Sequence, residues 1–161
     1  MGPSDFAIYP VDVGAGHVAL SPIPGRYGDY ESDLSTILRW VPDLVLTMTT
    51  QTELDRMGAS DFGADLAAVG VDWLHMPIVD FGAPERDDIW PQASAKARGV
   101  LGRGGKILTH CFGGCGRSGM AALRIMVEAG EAPDLALMRL RAARPCAVET
   151  DAQKAWAFSG V

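Results

Sequence analysis

The chain has 161 residues, 48% hydrophobic and 21% charged, a size and balance that suit one compact domain and exclude a disordered polypeptide. No run approaches the roughly 20 apolar residues of a membrane span. A net charge of −6, with no basic stripe interleaved with aromatics, argues against nucleic acid as the partner.

In chain order, residues 7–13 and 17–20 flank Gly14, Ala15 and Gly16 and predict an amino-terminal hairpin. A helix follows over 32–40, stopped near Pro42. Gly25-Arg26-Tyr27, between them, reads as an ordinary turn, and the first 40 residues hold no motif that carries chemistry. Residues 44–48 form an apolar strand, 53–57 and 65–69 short helices, 72–78 a second core strand, and 89–101 a helix. Lys106-Ile107-Leu108-Thr109 is a short buried strand, followed by helices over 120–129, 133–143 and 151–158. This alternation predicts a single α/β domain over 1–161, with a hairpin and helix over 1–40 and a core over 41–158. Its central sheet should be mostly parallel, with helices on both faces.

The chemistry concentrates in His110-Cys111-Phe112-Gly113-Gly114-Cys115-Gly116-Arg117-Ser118, at the carboxyl end of a strand and the amino end of a helix, where α/β folds bind anions. Inward-turned N–H groups from Phe112, Gly113, Gly114, Cys115, Gly116 and Arg117 would form a nest for a phosphate dianion. Gly113, Gly114 and Gly116 would allow positive φ and close approach, and Gly119 close packing just inside the helix. Arg117 can grip two phosphate oxygens with its planar fork. The helix terminus, the inward amides and the guanidinium all favour the thiolate of Cys111. A thiolate beneath a bound phosphate is placed to attack phosphorus and form a phosphocysteine. Ser118 can donate a hydrogen bond to that sulfur. His110 is expected to orient the loop through backbone contacts rather than act as a base. No metal or cofactor is called for.

The His-Cys-x5-Arg-Ser pattern resembles the signature of the cysteine-dependent protein tyrosine and dual-specificity phosphatases. The flanking runs Pro77-Ile78-Val79-Asp80-Phe81-Gly82-Ala83-Pro84 and Arg144-Pro145-Cys146-Ala147-Val148-Glu149-Thr150-Asp151-Ala152-Gln153 are similar to the small dual-specificity branch, of the kinase-associated phosphatase type. The likeness runs from about Val41 to Phe158. It implies a general acid at Asp80, with Asp87 and Asp88 as rivals on the same loop, and a water-placing role for Gln153, whose alternative is a glutamine on an exposed helix face. It implies a phosphomonoester hydrolase acting on phosphoproteins: phosphotyrosine, and phosphoserine and phosphothreonine where the cleft is shallow. The absence of lysine from residues 112–116 points away from polyphosphorylated inositides.

Charge is uneven. Residues 1–80 carry twelve acidic and three basic side chains; residues 81–161 carry eight and eleven. Cys115 and Cys146 depart from the family pattern: Cys115 is either a small filler or a partner able to trap oxidised Cys111, and Cys146 stands where glycine is usual. Three cysteines, one wanted as a thiolate, together with an amino terminus lacking a signal sequence or myristoylation pattern, lead to the expectation of a cytoplasmic protein. A rhodanese-like sulfurtransferase, a non-catalytic phosphopeptide-binding module and a zinc site at His110, Cys111 and Cys115 are the competing readings. Oligomeric state is not legible.

Overall fold

The computed structural model describes residues 5–85 and 89–160. The hairpin forms as expected: β1 (Tyr9–Val13) pairs antiparallel with β2 (Gly16–Ser21) across a two-residue turn in which Gly14 takes φ 59°. Then come α1 (Tyr30–Trp40), β3 (Leu44–Thr47), α2 (Gln51–Arg56), α3 (Phe62–Ala68), β4 (Asp72–His75), α4 (Trp90–Gly102), β5 (Lys106–His110), α5 (Gly116–Glu128), α6 (Pro133–Ala143) and α7 (Asp151–Phe158). The five strands lie in the order β1-β2-β5-β3-β4, and every pairing except β1–β2 is parallel.

Side chains alternate across this sheet, so β2, β3 and β5 feed two cores. Ala19, Val45 and Leu108 face one way, against Ile37 of α1, Leu54 of α2, and Phe62 and Leu66 of α3. Val18, Leu20, Leu44, Leu46 and Ile107 face the other way, against α4, α5, α6 and α7. The expected helices on both faces are therefore present.

Helices α1, α2 and α3 begin two to three residues before the expected positions, and two further boundaries differ for identifiable physical reasons. β4 ends at His75, because Pro77 has no N–H to give; Met76 and Ile78 still donate to Thr47 and Met48 carbonyls, so the chain runs on beside β3 without a regular ladder. α5 begins at Gly116, four residues earlier than its apolar periodicity indicates, with the Gly119 N–H donating to the Cys115 carbonyl at 3.0 Å. Two glycines in a first turn disfavour a helix locally. Burial of nearly every residue of α5 overrides that propensity.

β5 occupies the middle of the sheet and delivers the segment after His110 to its carboxyl edge. The residues before the resembling core are integral to this arrangement: β2 lies directly beside β5, in register from His17–Lys106 to Ser21–His110.

Candidate active site

Cys111 follows β5 directly and is 3% exposed, its sulfur on the wall of a cleft of about 580 Å³. Phe112, Gly113, Cys115 and Gly116 line the same cleft, with Asp80 and Phe81 from the loop after β4. The Ser118 hydroxyl lies 3.1 Å from the Cys111 sulfur, within hydrogen-bond reach. Of the loop residues singled out from sequence, Cys111, Phe112, Gly113, Cys115 and Gly116 line this hollow, and Gly114, Arg117 and Ser118 are not part of its lining.

Of the three loop glycines, only Gly114 takes a positive φ, at 73°. A Cβ there would lie 2.7 Å from the Ser21 and Pro22 backbone, so glycine is required twice over. Gly113 and Gly116 are not left-handed, contrary to expectation. At Gly116 the requirement is space, since the Glu149 and Gln153 side chains occupy the position a Cβ would take. Gly119 is as expected: a Cβ would lie 2.7 Å from the Val148 nitrogen, where α5 packs on the 147–148 backbone.

Arg117 is 1% exposed and differs from the expected fork around phosphate. Its terminal nitrogens donate to the two carboxylate oxygens of Glu53 at 2.7 and 2.8 Å, and one also donates to the Ile78 carbonyl at 2.8 Å. Asp80 Oδ1 stands 3.3 Å from the other. The Nε hydrogen is buried and has no partner among the described residues. Burial would lower the Arg117 pKa, but the Glu53 hydrogen bonds and the nearby Cys111 and Glu53 charges outweigh it and raise it further. Burial likewise would raise Glu53; the hydrogen bonds from Arg117 and Thr50 outweigh it and hold this carboxyl below its ordinary range. Glu53 also closes a capping box with Thr50, so the first turn of α2 fixes the carboxylate that fixes the arginine.

His110 is fully buried, with Nε2 2.8 Å from the Thr47 hydroxyl and its ring edge-on to Phe62 at 5.4 Å. Burial holds its pKa down at about 3, which keeps the ring neutral. Its ring contact to the loop backbone, Nδ1 to the Cys111 carbonyl, is long at 3.5 Å; Thr47 is the stronger tether.

Gln153 is completely buried, not on an exposed helix face. Its oxygen accepts from the Glu149 and Thr150 N–H groups and its amide donates to the Gly82 carbonyl at 3.0 Å. It is absent from the cleft lining and ties the Asp80 loop to the start of α7. The rivals Asp87 and Asp88 lie outside the described residues.

Cys115 forms a disulfide with Cys146, and Cys111 is the free cysteine. This corrects both readings of Cys115: it is neither a filler nor poised to capture Cys111. It also removes the cysteine-count basis for a reducing compartment. Among the described residues no helix is long and apolar enough to cross a membrane.

Several cleft residues were given no role from sequence. Tyr9, Arg26 and Tyr27 come from the segment without a motif, and Arg144 opens the flanking run that carries the resemblance. Arg26 stacks over Phe112 at 4.9 Å, and Arg144 over Tyr9 at 4.2 Å while donating to the Gly113 and Gly114 carbonyls. The turn Gly25-Arg26-Tyr27 was the one visible cue. Glu149 also faces the cleft; burial, then the Asp80 charge, raise its pKa.

Residues 41–131 match the family model described as "Polymorphic toxin system, DSP-PTPase phosphatase". Among solved structures, Tk-PTP in its active form is 31% identical with a TM-score of 0.68, covering 97% of this chain and 95% of that one. A kinase-associated phosphatase with its catalytic cysteine replaced by serine is 20% identical with a TM-score of 0.84, covering 94% and 92%. PTPMT1 in complex with PI(5)P is 16% identical with a TM-score of 0.70, covering 94% of both chains. No curated protein matches.

Proposed function

The chain belongs to the DSP-PTPase phosphatase family of polymorphic toxin systems and is a cysteine-based phosphatase; on that premise we propose that it hydrolyses phosphoproteins through a phosphocysteine on Cys111. The observation that carries this reading is one cleft lined by both Cys111, the free cysteine, and Asp80, with the Ser118 hydroxyl 3.1 Å behind the sulfur and the buried Arg117 guanidinium 3.3 Å from the Asp80 carboxylate.

In the first step the Cys111 thiolate attacks phosphorus while the P–O bond to the leaving group breaks. Asp80 gives that oxygen its proton, without which an alkoxide or phenoxide leaves poorly. The loop amides and Arg117 Nε–H hold the phosphoryl oxygens, where charge builds in the transition state. Ser118 steadies the sulfur when it leaves in the second step. Tyr9, Tyr27 and Phe112 give the cleft aromatic walls that suit the ring of phosphotyrosine. A cleft with Arg26 and Arg144 on its walls also suits a substrate carrying further negative charge.

Phosphate release across phosphotyrosine, phosphoserine and phosphothreonine peptides, inositides and nucleotides tests the reading. Cys111→Ser should abolish turnover and keep binding, and Arg117→Ala should lose both. Faster turnover of inositides than of any peptide would reassign the substrate, and turnover by Cys111→Ser would remove the nucleophile.

A further inference from the structure

The residue that places the attacking water was expected to be Gln153, but its carbonyl oxygen already accepts two backbone hydrogen bonds and one amide hydrogen is spent on Gly82. Glu149, four residues earlier, does face the cleft. Its backbone is held from several sides. Its own N–H donates to Gln153 at 2.8 Å, the preceding Val148 N–H donates to the Cys115 carbonyl at 3.1 Å, and Arg141 grips the Ala147 and Val148 carbonyls, each at 2.9 Å. Val148 takes φ 66°, a left-handed conformation that a β-branched residue adopts only under constraint, and it does so one position before Glu149. Phe81, one position after Asp80, takes φ 63°. Asp80 and Glu149, two of the three carboxyl residues that line the cleft, therefore each adjoin a strained backbone residue that turns the chain at that point. The Glu149 carboxylate rests against Gly116, where the lack of a Cβ leaves it room beside the phosphate cradle.

We propose that Glu149 is a second catalytic carboxylate, which holds the water that hydrolyses the phosphocysteine. This rests on the phosphocysteine reading given above. Once the leaving group departs, water takes its place on the open side of phosphorus and donates one hydrogen bond to Glu149. The water oxygen forms the new P–O bond and the S–P bond breaks, its electron pair returning to Cys111 as thiolate. The water's other proton passes to Asp80, ionised by the first step, and phosphate leaves. Asp80 on the loop after β4, and the Arg117 guanidinium and Gly116 N–H on α5, are the charged and polar groups that set the Glu149 ionisation; burial and Asp80 raise it, Arg117 and Gly116 oppose.

Rapid-quench kinetics with p-nitrophenyl phosphate and a ³²P-labelled phosphotyrosine peptide test the assignment. The parent protein should show a burst of nitrophenol. Glu149→Gln should keep that burst while its steady-state rate falls about tenfold or more, with label accumulating on Cys111. Glu149→Asp, which keeps the carboxylate, should turn over faster than Glu149→Gln, and the kcat–pH profile of Glu149→Gln should lose an ionisation present in the parent. Turnover of Glu149→Gln within twofold of the parent, with no extra label, would overturn the proposal, as would Glu149→Asp being the slower variant. Absence of label in a parent protein that still releases phosphate is a different failure, that of the phosphocysteine reading itself.

Discussion

The two carboxylate oxygens of Glu53 accept from the two terminal nitrogens of Arg117 at 2.7 and 2.8 Å, across 64 residues of sequence. The arginine side chain is fully buried and the glutamate is partly buried, its side chain 14% exposed. This bidentate pair commits the fork of the guanidinium to Glu53, and Nε–H has no partner among the described residues.

Removing one partner of such a pair leaves a buried charge uncompensated. Glu53→Ala is expected to destabilise the protein by about 3 kcal/mol and to lower kcat/KM by freeing the arginine. Glu53→Gln should cost less, about 1–2 kcal/mol, since a neutral amide keeps one bond. Urea unfolding of the three proteins checks the order, and equal midpoints would contradict it.

As the proposed general acid, Asp80 has to protonate the leaving oxygen only when that oxygen is basic. Asp80→Asn should therefore slow phenyl phosphate by about 100-fold or more and p-nitrophenyl phosphate far less. An unaltered Asp80→Asn beside a slow Asp88→Asn would assign the acid to the rival instead.

The Cys115–Cys146 bridge ties the loop between β5 and α5 to the turn between α6 and α7, closing a separation of 31 residues. A loop of that length loses enough unfolded-state entropy for about 3.5–4 kcal/mol of stabilisation. Cys146→Ser, or reductant, should lower the urea midpoint accordingly. Thiol titration of the denatured, unreduced protein should find one thiol per chain; three would rule the bridge out.

His110 is neutral in the folded protein down to about pH 3, because burial penalises its charge. The unfolded chain protonates it near its ordinary value of about 6.5. Between those limits the unfolded state binds more protons, so His110 lowers stability as pH falls from about 6.5 toward 3 and contributes no slope above. His110→Asn should flatten that part of the stability–pH curve. An identical slope in the variant would show that other groups carry it.

Where local pattern and tertiary packing agree, the sequence was legible. α6 and α7 occupy the residues their periodicity predicts, because α6 has proline at its first position and α7 has Thr150 and Gln153 as a capping box. The start of α5 was not legible, since Gly116 and Gly119 look like loop until their missing side chains are seen to admit Glu149 and Val148. Glu149 itself reads as an ordinary polar residue before a helix cap, and only the positive φ of Val148 shows that the chain is bent there.

The order of residues along the chain determined where the candidate chemistry lies: a cysteine and an arginine separated by a glycine-rich turn sit between a strand and a helix, at the carboxyl edge of the sheet. Which groups surround them was decided by the folded sheet. Setting β2 beside β5 brings Arg26 and Tyr27 to the cradle, α2 supplies Glu53, and the segment before α7 supplies Glu149. These contacts join positions tens of residues apart, and no periodicity or spacing encodes a contact that forms only when two layers pack.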